Sequence, residues 1–259
     1  VRSEEEGPPA SLHRLIFDPP NSGAWNMAVD EVLLDRAGRE PRRTLRFYEW
    51  SEPTVSLGYF QDYASRFDHP ASRDCPLVRR PSGGGAIVHD QELTYALIAP
   101  AGDPLARDSR GLYEAVHSAL VRVLAALAVE ARMHEPELGS RSGPRREEPF
   151  LCFERRSAGD LIAGGAKVGG SAQRRRGGAV LQHGSFLLRR STAAPELPGI
   201  EDLFPHFQGR PDWRSLACSE ILAWLKSAVS IEPLSDAERR AAAVLARDKY
   251  GDSAWNRRR

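Results

Sequence analysis

Gly164-Gly165-Ala166-Lys167-Val168-Gly169-Gly170-Ser171-Ala172-Gln173 is the stretch on which the fold turns. Lys167 to Ala172 reads as a strand, preceded by Asp160 to Ala163 and followed by Ala179 to Leu188. The pairs Gly164-Gly165 and Gly177-Gly178 mark the turns between them. Cys152 stands upstream in Cys152-Phe153-Glu154, so a thiol and an amine are both carried on one glycine-rich sheet region. An ammonium group favours thiolate over thiol, and such a pair suggests acyl transfer through a thioester. At about 4 Å and an effective dielectric near 20, the attraction is about 4 kcal/mol, roughly three pKa units before desolvation is subtracted. The bland alternatives stand beside this reading. A cysteine between Leu151 and Phe153 is commonly a small buried hydrophobe, and a lysine after two glycines is commonly a solvated hairpin residue.

Outward from that stretch, strands are expected at Leu12 to Phe17, Thr44 to Trp50, Thr54 to Tyr59, Leu77 to Arg80, Gly85 to His89 and Leu93 to Ala99. Thr44 to Trp50 and Thr54 to Tyr59 read as neighbours across the turn at Ser51-Glu52-Pro53. Ala24 to Leu34 reads as a first helix, capped by Asn21 or Ser22. Leu112, Val116, Leu120, Val123 and Leu127 lay one apolar stripe down a helix that should cover a sheet face. Residues 130 to 150 read as a long loop, and Trp213 to Val229 and Asp236 to Tyr250 as closing helices. Ser235 and Glu238 open the last of these in capping-box spacing. A disordered tail over residues 1 to 10 and one α+β domain over 11 to 259 follow, with a central sheet, a second sheet region and flanking helices.

The 259 residues include 36 Lys and Arg against 35 Asp and Glu, a balance that gives no global argument for nucleic acid or membrane. Its balance also leans toward a monomer. Three cysteines, Cys75, Cys152 and Cys218, show no CxxC or metal-ligand spacing, so no metal is expected and a reduced, cytoplasmic setting is. Cys218 shares a helical face with Ile221, Leu222 and Leu225 and reads as core. Cys75, beside Pro76, reads as structural. Ser82-Gly83-Gly84-Gly85 lets backbone approach a ligand, although an isolated triplet is commonly a tight turn. No nucleotide-binding fingerprint is present.

Five ordered blocks carry a family likeness: Asn26 to Glu31, Thr44 to Tyr48, Thr54 to Gln61, Arg79 to Ala86 with His89-Asp90, and Lys167 to Gln173 with Gln182-His183-Gly184. Together they resemble the lipoate-protein ligase and octanoyltransferase family. Cys-Phe-Glu ahead of the lysine looks most like its LipM-type octanoyltransferases. The resemblance implies a fold related to biotin ligases and class II aminoacyl-tRNA synthetase cores, with a mixed central sheet and a smaller sheet. It implies that octanoate passes from octanoyl acyl carrier protein to Cys152, and then to a lysine of a lipoyl-domain protein such as the glycine cleavage H protein. Lys167 would lower the thiol's pKa, and no cofactor would be needed, because exchange between thioesters is nearly isoenergetic. Arg79, Arg80, Ser82, Gly83, Gly84, Gly85, His89, Gly169, Gly170, Ser171, Ala172, Gln173, His183 and Gly184 would line the acyl site. Arg145-Arg146, Arg155-Arg156 and Arg174-Arg175-Arg176 offer landing sites for an acidic carrier. The alternatives are an ATP-dependent lipoate ligase, an amidotransferase between lipoyl-domain proteins, or a non-catalytic acyl- or biotin-sensing module.

Overall fold

The structure, a computed structural model, describes residues 13–136, 149–207, 212–225 and 229–258. In chain order the strands are β1 (His13–Phe17), β2 (Arg43–Tyr48), β3 (Thr54–Leu57), β4 (Leu77–Arg79), β5 (Ile87–His89), β6 (Glu92–Ala99), β7 (Ala131–Met133), β8 (Leu161–Ala163), β9 (Ala166–Arg176), β10 (Ala179–Leu187) and β11 (Val229–Ile231). The helices are α1 (Gly23–Ala37), α2 (Pro104–Arg107), α3 (Ser109–Ala126), α4 (Ile200–Leu203), α5 (Trp213–Leu225), α6 (Asp236–Leu245) and α7 (Ser253–Asn256). Eight strands form a mixed sheet in the order β11-β1-β2-β6-β10-β9-β8-β7, and β4-β3-β5 form a second, small one. Among the described residues, no helix is long and apolar enough to cross a membrane.

The glycine-punctuated stretch folds as a β8-β9-β10 antiparallel meander. Both residues of each glycine pair have positive φ, 53° and 77° at Gly164 and Gly165, 55° and 82° at Gly177 and Gly178. Two consecutive positive φ values match the right-handed twist of the flanking strands. Strand β9 outruns the expected Lys167 to Ala172 and carries the three arginines within it.

Apolar residues on the two faces of the large sheet build separate cores. Leu45, Phe47, Leu97, Val180 and Phe186 pack with Leu112, Val116, Leu120 and Val123 of α3 and with Ile221 and Cys218 of α5. On the other face, Tyr48, Ala96, Ile98 and Leu181 meet Met27, Val29 and Leu33 of α1 and Ala242 of α6. Ser22 caps α1, its hydroxyl accepting from Trp25 N at 3.3 Å, and Ser235 and Glu238 form the capping box of α6.

Four expectations are corrected. β2 and β3 are not neighbours: β2 lies between β1 and β6, while β3 seeds the small sheet. The Ser51 to Pro53 turn takes the chain out of the large sheet once Trp50 has bridged to Asn21. The helix from Trp213 is described as far as Leu225, and Val229, a β-branched residue, begins β11 beside the edge of β1 and is not helical. The segment after residue 130 is not all loop, since Ala131–Met133 pairs with β8. After α6 the chain widens into a π-helical turn, Ala246–Tyr250, which brings Lys249 and Tyr250 together onto the Glu31 carboxylate. The expected N-terminal tail, most of the 130 to 150 loop and Arg145-Arg146 lie outside the described residues.

Candidate active site

Cys152 opens a one-turn helix, Cys152–Glu154, anchored where its N–H donates to Ala86 O at 2.7 Å. Leu151 and Phe153 are buried on either side, whereas the cysteine is half-buried and lines a cavity of about 370 Å³. Lys167, near the start of β9, lines the same cavity. Its Nζ lies 3.8 Å from Cys152 Sγ and donates to Cys152 O at 3.2 Å. Both residues of the sequence-derived pair therefore face one space.

Asp160, which the sequence reading missed as a site residue, fixes that amine. Its carboxylate lies 2.8 Å from Lys167 Nζ, and the two side chains are only 3% exposed each. It also accepts from Ser157 N at 2.6 Å and from Tyr113 OH at 3.1 Å. Burial, and next the Asp160 charge, push the Tyr113 phenol far above its usual range, so it serves as a neutral donor. A second cation flanks the thiol. Arg80 is buried, its guanidinium donating to Ser56 O at 2.8 Å, Gly83 O at 2.8 Å and Gly85 O at 2.6 Å. Loss of hydration lowers Arg80 to about 10, with the Cys152 charge opposing that fall. The loop it holds needs glycine: Gly84 has φ +94°, and a Cβ on Gly58 would sit 1.9 Å from Gly84 O.

His89 and His183 line the cavity, but neither offers a ring nitrogen to a ligand. His183 Nδ1 lies 3.0 Å from Asp30 and its Nε2 is bonded to Ser82 Oγ. His89 Nδ1 lies 2.7 Å from Glu92, its Nε2 lies 2.7 Å from Ser56 Oγ, and its ring stacks on Trp50. Both are held as wall. A third histidine, His117 on α3, stands behind the cavity. Burial drives it down to about 4, outweighing the Gly159 carbonyl and Asp160, so it is neutral. Its Nδ1–H donates to Gly159 O and its Nε2 accepts from Ser171, each at 2.7 Å. That fixes the direction of a chain: Gln173 donates to Gln182, Gln182 to Tyr95, Tyr95 to Ser171 and Ser171 to His117.

Of the fourteen expected lining residues, Arg80, Gly83, Gly84, His89, Gly170, Ser171, Ala172, Gln173, His183 and Gly184 border the cavity. Arg79, Ser82, Gly85 and Gly169 stand behind it. Arg79 is fully buried and donates to Gly58 O, Gln61 O and Asn256 O. Ser82 holds His183, Gly85 lies against the Cys152 backbone, and Gly169 packs on Leu161 and Phe186. The arginine run also divides. Arg175 donates to Ala106 O, Arg176 pairs with Glu31 and Asp35, and Arg174 stacks over Tyr59. Among the described residues no group of His, Cys, Asp and Glu could hold a metal ion.

A mixed sheet thus brings a thiol and an amine to the wall of one cavity. The lipoyl protein ligase A/B catalytic domain profile matches residues 22–196. Octanoyltransferase LipM of Symbiobacterium thermophilum is 34% identical over 95% of this chain and 98% of its own length. Octanoyltransferase LipM of Moorella thermoacetica is 41% identical over 70% of this chain and 66% of its own. Among solved structures, a lipoate-protein ligase A bound with ATP superposes with a TM-score of 0.72 at 23% identity, covering 95% of this chain and 98% of that one. A bi-partite lipoate protein ligase from Thermoplasma acidophilum gives 0.70 at 20% identity, covering 95% and 96%. At those identities the likeness concerns the fold alone. The chain belongs to the lipoyl protein ligase A/B catalytic domain family.

Proposed function

We propose that this chain is an octanoyltransferase that carries the acyl group on Cys152, taking it from an acyl carrier protein and passing it to a lysine of a lipoyl-domain protein. The observation that carries this reading is the approach of Lys167 Nζ to Cys152 Sγ, 3.8 Å, on the wall of a cavity. Lys167 and Arg80 both line the cavity that Cys152 lines. The likeness to the LipM octanoyltransferases supports the choice of acyl group.

In the first step the Cys152 thiolate attacks the carbonyl carbon of the donor thioester. A new carbon–sulfur bond forms, the donor's breaks, and the donor leaves as its own thiolate, to be protonated by solvent. In the second step the acceptor's neutral amine attacks the Cys152 thioester. The carbon–nitrogen bond forms, the carbon–sulfur bond breaks, and the amine's proton passes to solvent as the Cys152 thiolate returns. The Lys167 ammonium, already donating to one carbonyl beside the sulfur, is the cation best placed to meet the developing oxyanion. Asp160 holds that ammonium in position.

Intact-mass spectrometry after mixing with octanoyl acyl carrier protein, without ATP, tests the reading. The protein should gain one octanoyl group that hydroxylamine removes, and Cys152→Ala should gain none. An acylated Cys152→Ala protein, or an adduct formed only from octanoate with ATP, would overturn it. An adduct formed only from an octanoylated lipoyl-domain donor would instead assign the amidotransferase.

A further inference from the structure

We infer that the closed end of the cavity is a gauge of acyl length, with Met27 as its adjustable stop, so that the site takes medium straight chains and turns away longer ones. The inference rests on the acyl-carrying reading of Cys152 and adds the basis of chain selection to it.

Burial and strand order together divide the cavity lining into a mouth and a floor. Gly84, Ser157 and Ala158 are exposed, and Cys152, Ala172 and Gln173 are half-buried, so the sulfur sits toward solvent. Met27, Tyr48, Thr94 and Ser185 are each no more than 3% exposed, and the register Gly170 to Ser185 to Thr94 to Tyr48 leads away from β9, which carries Lys167, across β10 and β6 to β2. An acyl chain attached to the sulfur would point its last carbons at these four. The volume of about 370 Å³ is at the small end for a ligand site, which leaves little space beyond a medium chain.

Three of the four cannot easily move. Tyr48, Thr94 and Ser185 face one another across adjacent strands β2, β6 and β10, in the register Tyr48 to Thr94 to Ser185. Tyr48 OH donates to Asp30 at 3.1 Å, Thr94 Oγ1 to Glu92 at 2.5 Å and Ser185 Oγ to the same Glu92 oxygen at 2.9 Å. Trp50 Nε1 adds a bond to Thr94 at 2.9 Å. Every hydroxyl donor is spent inward, so this polar row rewards no polar chain end, and displacing a member would orphan a buried partner. Met27 alone has no such tether. It reaches in from α1, and its unbranched thioether side chain is the part of the floor that can be shortened or reshaped without breaking a hydrogen bond.

The test is a series of saturated acyl-pantetheine thioesters of six, eight, ten and twelve carbons, with the rate of Cys152 acylation read by intact mass. The wild-type rate should fall at least tenfold between eight and twelve carbons. Met27→Ala should shrink that ratio to threefold or less, and Met27→Leu, which conserves volume, should keep it. Because the readout is a ratio within each variant, a general loss of folded protein does not imitate it. An unchanged ratio in Met27→Ala, or a wild-type protein indifferent to length, would overturn the gauge. The same series of free alkanoates, titrated calorimetrically into Cys152→Ala, separates the two readings. If no length acylates Cys152, the thioester reading fails while binding still reports on the stop. If acylation proceeds but neither measurement shifts with Met27, the gauge fails and the thioester reading stands.

Discussion

The two faces of the eight-stranded sheet bury different chemistry. Under α3 and α5 the strands offer Leu45, Phe47, Leu97 and Val180, a hydrocarbon layer crossed by one uncharged polar chain from Gln182 through Tyr95 and Ser171 to His117. Under α1 the same strands offer Arg46, Tyr48 and His183, and the fully buried Arg46 guanidinium reaches Asp18 and Asp30, both at 2.7 Å, and Asn26. Asp30 in turn holds Tyr48 and His183, two residues of the cavity wall. A hydrocarbon layer tolerates small adjustments of packing, whereas an ion network has one satisfied geometry and costs much to disturb. Met27, Tyr48, Thr94, His183 and Ser185 of the cavity lining belong to the face that cannot adjust, while Tyr113 reaches the cavity from α3. Rigidity there fixes Tyr48 and His183, while Ala86 O and Asp160 fix the cysteine and the amine.

The largest effect expected from breaking this contrast is at Arg46. Arg46→Met strands two buried carboxylates and should cost about 3–5 kcal/mol in urea denaturation, with loss of Cys152 acylation in the protein that still folds. Leu97→Ala on the hydrocarbon face should cost about 3 kcal/mol and leave the acylation rate of the folded fraction unaltered. Equal functional loss from both substitutions would erase the distinction.

His117 sharpens the contrast by pH. Its folded value, about 4, lies below the ordinary 6.5, so the unfolded chain takes up a proton that the folded one refuses as pH falls through that window. Its contribution is complete above pH 6.5, is lost progressively toward pH 4, and amounts to about 2–3 kcal/mol. Stability measured from pH 7 to 4 should show that slope, and His117→Gln should flatten it; a variant with the parent's slope would remove His117 as the cause. The smallest effect belongs to the rim. Arg174→Glu should raise KM for the acylated carrier about threefold and leave KM for octanoyl-pantetheine unchanged, as suits a half-buried charge at the rim. Arg175→Glu, whose parent side chain is spent on Ala106 O, tests the opposite expectation of no specific effect on the carrier.

Local signals were legible in the sequence, and long-range partners were not. The apolar stripe of α3, the capping box of α6 and the glycine turns of the meander each depend on neighbours a few residues apart. Cys152 and Lys167 were read as a pair from their chemistry and glycine-rich setting, and the family pattern then weighed against the bland alternatives. Asp160, His117 and Tyr95 carried no comparable mark. His117 acquires its role from Gly159 and Ser171, and Tyr95 from Ser171 and Gln182, contacts 42 to 87 residues apart in the chain. The strand at Val229 escaped for the same reason, since its partner is His13 at the other end of the fold. The separation of β2 from β3 depends on which sheet each strand joins, a choice that a proline turn between them does not encode.

Arg79 has a further consequence. Through its guanidinium and its N–H it grips the Asn256 carbonyl and side-chain oxygen, and Trp255 donates back to its own carbonyl at 2.9 Å. The same guanidinium holds Gly58 O and Gln61 O, beneath the loop that borders the sulfur. During synthesis, then, Arg79 cannot complete its set of partners until residue 256 has cleared the ribosome, long after the loop's own residues have emerged.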